Sequence, residues 1–130
     1  MYHAKTRSVQ ITALPAFAPE RSEAEEGRFY WTYTIEIANQ GETTVQLLGR
    51  FWRITDANGR VETVEGPGVV GETPVLRPGE TYRYTSGCPL PTPSGIMSGA
   101  YRMVDESGEE FDAIIPAFSL DSPMQRRVLN

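Results

Sequence analysis

A chain of 130 residues and 14.5 kDa is the length of one domain, spanning 1–130, with enough apolar content (39%) to bury a core without disulfide or metal. Its 12 basic against 17 acidic residues leave a net charge of −5 and a pI near 4.9, which counts against duplex nucleic acid and anionic membranes as partners. No apolar run approaches the roughly 20 residues of a membrane span, and the single cysteine, Cys88, excludes an internal disulfide.

Apolar residues recur at every second position in short segments separated by turn chemistry, which predicts strands. The first is Ser8 to Leu14, with Val9, Ile11 and Ala13 on one face. Before it lies a terminus expected to fray, carrying His3. After it, the Pro- and Glu-rich stretch from Pro15 to Gly27 reads as a solvated, mobile loop. The clearest strand follows. Phe29, Trp31, Tyr33, Ile35 and Ile37 alternate with polar neighbours, as in a half-buried antiparallel strand. A third strand is predicted from about Val45 to Thr55, with Leu48, Trp52 and Ile54 sharing a face with Arg50. Asp56-Ala57-Asn58-Gly59 is a hairpin turn, and Arg60 to Val64 returns as a short strand.

A Gly- and Pro-rich connection is expected from Glu65 to Pro78. Thr81 to Thr85 forms the next strand, and Ser86 to Gly95 a second irregular stretch with three prolines. Ile96 to Val104 is a strand, Glu106 to Glu109 a hairpin turn, and Phe111 to Leu120 the last strand. Pro116 interrupts it, which places that residue at an edge or a bulge. The tail from Ser122 to Leu129 has room for one short turn. No segment carries a helical period. This pattern predicts an all-β, immunoglobulin-like antiparallel sandwich of about seven to eight strands. Trp52 stands where such sandwiches bury a tryptophan, and Tyr101 is a candidate for the tyrosine corner.

The chemistry is read mostly by elimination. A nucleophile needs a neighbouring base, and the only histidine, His3, belongs to the terminus. Cys88 is therefore read as a small, half-buried residue, and no catalytic residue is assigned. Structural zinc needs four Cys or His ligands and the chain has two. Asp105, Glu106, Glu109, Glu110 and Asp112 cluster near the last hairpin, where acids most often decorate a solvated turn. They could hold Mg²⁺ or Ca²⁺ only weakly. No metal site and no cofactor is assigned.

The string Gly66-Pro67-Gly68-Val69-Val70-Gly71 fits G-x-G-x-x-G. Pro74 and Pro78 downstream forbid the helix that a dinucleotide fingerprint must open. What remains is a non-helical loop whose amides are candidates for an oxyanion nest, or a structural crossing between sheets. Arginine outnumbers lysine eleven to one. Arg50 has core parity and so needs a partner. That partner is either an internal carboxylate, the favoured pairing, or an anion near the glycine loop. The candidate ligand- or partner-binding residues are Gly66, Gly68, Gly71, Glu72 and Arg50.

The stretches Leu47-Leu48-Gly49-Arg50-Phe51-Trp52-Arg53-Ile54-Thr55-Asp56, Glu65 to Glu72 and Leu76-Arg77-Pro78-Gly79-Glu80 together resemble the ApaG domain family. So do Tyr84-Thr85-Ser86-Gly87, Gly95 to Gly99 and Ile115 to Leu120. The resemblance implies a fibronectin-type-III-like sandwich. It implies an association with cobalt resistance and magnesium efflux, and a genomic setting near diadenosine tetraphosphate metabolism. It also implies the use of this domain inside adaptor proteins, and a pyrophosphate-binding proposal for the loop of Gly66, Gly68 and Gly71. Phe51 departs from the family's common His or Tyr, and Thr73 from its common Gln.

The expectation is a cytoplasmic, non-catalytic binding module for an unidentified protein partner, engaged through the 66–77 and 86–95 loops. The alternatives are a nucleotide or pyrophosphate sensor using Gly66 to Gly71, with or without Mg²⁺, and a weak divalent-metal binder.

Overall fold

The structure is a computed structural model that describes residues 2–123. Among them are nine strands: β1 (Tyr2–Thr6), β2 (Val9–Phe17), β3 (Phe29–Asn39), β4 (Val45–Asp56), β5 (Val61–Pro67), β6 (Val75–Leu76), β7 (Thr81–Leu90), β8 (Ser94–Asp105) and β9 (Glu110–Asp121). Two antiparallel sheets form a sandwich. One has the order β1-β2-β3-β7 and the other β5-β4-β8-β9, with β6 also paired to β4. Among the described residues no helix is long and apolar enough to cross a membrane.

The alternation along β3 is carried through its whole length, with every second side chain from Phe29 to Asn39 buried. Val9, Ile11 and Ala13 meet it from β2. Trp52 is the largest side chain in the other sheet's half of the core, among Leu47, Met97, Tyr101, Ile115 and Phe118. Its ring meets Tyr33 at 5.3 Å, Phe118 at 6.0 Å and Tyr101 at 6.4 Å, all edge-on. Such contacts add to the burial of large rings. Trp31 buries its indole and donates from Nε1 to the Asp121 carbonyl at 2.9 Å.

The structure corrects several of the sequence expectations. The N-terminal residues are not frayed: Tyr2–Thr6 pairs with Val9–Ala13 through a two-residue turn at Arg7 and Ser8, both at positive φ. Neither residue is a glycine, so the turn carries no sequence signal. Arg7 fastens the hairpin to the β8–β9 turn by ion pairs with Asp105 at 3.1 Å and Glu109 at 3.3 Å.

The 15–27 stretch is only partly loop. β2 runs on to Phe17, whose ring sits 5.5 Å from Trp31, and two single 3-10 turns follow at Pro19–Arg21 and Ala24–Glu26.

Leu48 does not share the face of Trp52. The register with β8 slips between Leu47 and Gly49, so Leu47 is buried and Leu48 is the bulged residue. The irregular 86–95 stretch shrinks to a connection of three residues, Pro91 to Pro93, because β7 continues to Leu90 and β8 starts at Ser94. Pro89 is tolerated because β7 is an edge strand with β3 as its one neighbour. Pro67 extends β5 for the same reason. Pro116 lies at the expected irregularity, where the β8–β9 register shifts. The tyrosine-corner reading of Tyr101 fails. Its hydroxyl bonds to the Tyr84 hydroxyl, not to backbone, inside the core. The short turn expected in the tail lies almost wholly outside the described residues.

Candidate functional site

The bulge at Leu48 sets up the first feature. β4 presents one edge to two lengths of chain, β5 against Gly49–Thr55 and β6 against Val45–Gln46. The segment between them is strapped to the same edge. Gly68 donates its amide to the Leu48 carbonyl at 2.9 Å, and Leu47 donates to the Pro74 carbonyl at 3.0 Å.

At the tip, Val69 and Glu72 exchange backbone hydrogen bonds at 2.8 and 2.9 Å across Val70 and Gly71. Both central residues have positive φ, +42° and +80°, as in a type I′ turn. Such a φ is unusual for a β-branched residue and stores strain. Val70 is 59% exposed all the same, and Val75 on β6 is 55% exposed.

The glycines of this loop differ in purpose. A Cβ on Gly68 would stand 2.3 Å from the Glu72 carbonyl oxygen, with φ at +60°. Only glycine fits there. Gly66 pairs with Arg50 across β4 and β5, and a Cβ would meet the guanidinium at 3.0 Å. The missing side chain leaves the groove in which Arg50 lies. Gly71 faces open space.

Arg50 therefore stands beside the glycine loop, one of the two placements its core parity allowed. Its Nη1 donates to the carbonyls of Pro67 at 2.9 Å and Gly68 at 3.1 Å. The favoured partner, an internal carboxylate, is not what it meets. Among the described residues no carboxylate lies within ion-pair distance of it. Glu72 belongs to the tip and contributes backbone.

The second feature is a cleft of about 320 Å³ where the two sheets part, between β5 and β7. Arg50, Trp52 and Val64 line it from one sheet, and Tyr33, Ser86 and Cys88 from the other. Burial raises the Tyr33 phenol above its ordinary value, and the Ser86 hydroxyl beside it pulls the other way. Behind it, burial holds the Tyr84 and Tyr101 phenols well up. Burial, with Glu62 adding, pushes the Cys88 thiol up to about 11. A protonated, buried thiol is a poor nucleophile. His3 lies on β1 at the far edge of the sheet that ends in β7, three strand spacings across and five residues along from Cys88, roughly 20 Å away.

The acids of the last hairpin are spent on neighbours. One oxygen of Asp105 accepts from the Ser107 hydroxyl and from the amides of Ser107 and Glu109, and the other meets Arg7. These contacts, the Ser107 hydroxyl foremost, hold its carboxyl below the usual range. Arg102 takes Asp112 at 2.8 Å and Glu110 at 3.1 Å. Among the described residues no three of these side chains converge as a metal site would need. Phe51 faces outward in register with Glu65 on one side and with Ala100 and Ile114 on the other, and has no metal-binding atom itself.

Sequence reasoning found Arg50 and the glycines but not Tyr33 and Ser86. Their only local signal was core parity and a Pro-rich neighbourhood.

The ApaG domain model matches residues 19–105. Protein ApaG of Methylocella silvestris is 70% identical over all 130 residues of both chains, and that of Beijerinckia indica 67%. The crystal structure of the putative ApaA protein from Bordetella pertussis superposes with a TM-score of 0.87 at 44% identity, covering 88% of this chain and 94% of its own. The chain belongs to the ApaG domain family.

Proposed function

We propose that this member of the ApaG domain family is a non-catalytic binding module that engages another protein through the 66–76 segment. One observation carries the reading. The loop turns three of its amides inward and buries Val69 and Leu76, while Val70 and Val75 are left exposed. The amides of Gly68, Val69 and Glu72 are bonded to carbonyls of the chain itself, and the Arg50 guanidinium holds two more carbonyls from beneath. Val70 and Val75 face solvent on this braced support. A loop built to cradle an oxyanion would direct its amides outward instead. Rigid presentation lowers the ordering cost of association.

The edge strands support loop recognition over strand addition. β1 has only five residues, β5 turns Glu62 toward the core side and ends in Pro67, β7 carries Pro89, and β9 breaks register at Pro116. These are the devices by which sheets discourage a further strand. Burial keeps the Cys88 thiol protonated, a poor nucleophile, which supports the non-catalytic reading.

The test is site-directed photo-crosslinking in a cell extract, with the photoreactive side chain at position 70 or, as control, at position 34 on the outer face of β3. Position 70 is expected to capture a discrete partner that excess unmodified protein displaces. Val70→Asn makes the turn the favoured Asn–Gly sequence. It should stabilise the fold by about 1 kcal/mol yet fail to displace the partner. Equal capture at both positions, or full displacement by the variant, would sink the reading.

A further inference from the structure

We propose that the cleft between β5 and β7 is a binding site for a small molecule with a single oxyanion head and an apolar body, the head resting on Arg50 and the hydroxyls of Tyr33 and Ser86. This goes beyond the protein-contact reading and does not depend on it.

The argument starts from Arg50. Its Nη1 is committed to the Pro67 and Gly68 carbonyls. Among the described residues its Nε and Nη2 have no hydrogen-bond partner. One edge of a guanidinium carries two donors at the spacing of a carboxylate or phosphate. The side chain is half-buried and fixed, because Gly66 leaves it a groove and the loop carbonyls hold one nitrogen. A positive charge drawn partly out of water without a counter-charge is costly. A bound anion removes that cost at no expense of reorganisation.

The rest of the cleft completes a site. Its volume, about 320 Å³, lies at the lower end of the range for small-molecule pockets. Tyr33 and Ser86 are neutral hydroxyls on the wall facing Arg50, able to donate to the same head group. Trp52 and Val64 supply an apolar wall for the body. Glu62 stands on β5 four residues before Gly66, in register with Ile54 and lining the same cleft. A second negative charge at that end would be repelled. The site therefore favours one anionic group, with a neutral or cationic far end, and disfavours polyphosphate chains.

Benzoate, phenyl phosphate, terephthalate and neutral benzamide are suitable probes, read by ¹⁵N–¹H NMR and by the Trp52 indole resonance. Benzoate or phenyl phosphate is expected to give saturable shifts at Ser86, Gly87, Cys88 and Trp52, and whichever binds more tightly identifies the head group. Terephthalate, whose second carboxylate points toward Glu62, should bind more weakly than benzoate. Benzamide should bind at least about tenfold more weakly, having lost the charge-assisted pair. Arg50→Gln should cost a similar factor. If that variant loosens the loop and clouds the result, Val64→Phe fills the cleft from an edge strand without touching Arg50 and should abolish the shifts. Flat spectra with all probes, benzamide binding as well as benzoate, or full binding by Val64→Phe would each overturn the proposal.

Discussion

Along one flank of the sandwich β1 and β2 lie over β9 and close the core, whereas along the other β5 and β7 scarcely touch and a cleft stays open. The closed flank is built of large apolar side chains and cross-sheet fasteners. Phe118 reaches Tyr2, Tyr33 and Trp52, and Thr6 Oγ1 accepts from the Ile114 amide at 3.2 Å. The open flank is built of glycines in strained or crowded places, buried hydroxyls, a protonated thiol and an arginine tied to backbone. One side spends its residues on burial and the other on shape and polarity. Apolar burial and polar shape are therefore largely separated across the width of the sandwich.

The largest expected effect tests the closed flank. Phe118→Ala removes the ring that joins the sheets and should cost about 3–5 kcal/mol, read from the shift in urea midpoint. A loss below 1 kcal/mol would mean that the open flank carries the core as well.

Next is the loop on the open side. Gly68→Ala must place a Cβ against the Glu72 carbonyl at positive φ, and should cost ~2–3 kcal/mol. Gly71→Ala meets no atom there and should cost only ~1 kcal/mol, for φ alone. Equal losses would show that space plays no part in the choice of glycine. A binding experiment on a Gly68 variant thus has to be read beside its stability.

Alkaline pH should act on the open flank. The native Cys88 thiol keeps its proton to about pH 11, against an ordinary 9.0 in the unfolded chain. Between those values the native state binds more protons. Stability is therefore full below about pH 9 and falls as pH rises toward 11, by about 2–3 kcal/mol from this thiol. The raised tyrosines add to the fall above pH 10. Urea titrations at pH 8 and 10.5 measure it, and Cys88→Ala should flatten the slope. A pH-independent midpoint would contradict the burial assigned to the thiol.

The last prediction concerns the tyrosine pair. Tyr84→Phe leaves the Tyr101 hydroxyl buried without its partner, at a cost of about 1–2 kcal/mol. Replacing both by Phe should cost less than the two single changes added together. Strict additivity would mean that the hydroxyls do not rely on each other.

Much of the closed flank was legible in the sequence. The alternation of β3 and of early β2 is local; on the open flank Gly59 marked the β4–β5 turn, adopting φ +83°. The Arg7–Ser8 turn was not legible, because positive φ there falls on residues that rarely take it. β6 pairs only two residues, too few for any period. Prolines 67 and 89 read as strand breakers, but an edge strand needs no donor on its outer side. In the candidate site, parity marked Arg50 as unusual. Its carbonyl partners lie 17 and 18 residues away and are reached only because Gly66 has no side chain. The cleft depends on two strands of different sheets failing to meet, which no local pattern encodes.

The strapping of the loop to β4 has one more consequence. Its two ends are held by neighbouring residues: the Leu48 carbonyl accepts from Gly68, and the Leu47 amide donates to Pro74. The exposed tip at Val70 and Gly71 lies beyond those clamps and beyond the buried Val69, so lengthening it there carries mainly the slow entropic cost of a longer loop. A foreign peptide spliced between Val70 and Gly71 would be held at both ends, a few ångströms apart, while both sheets keep their register.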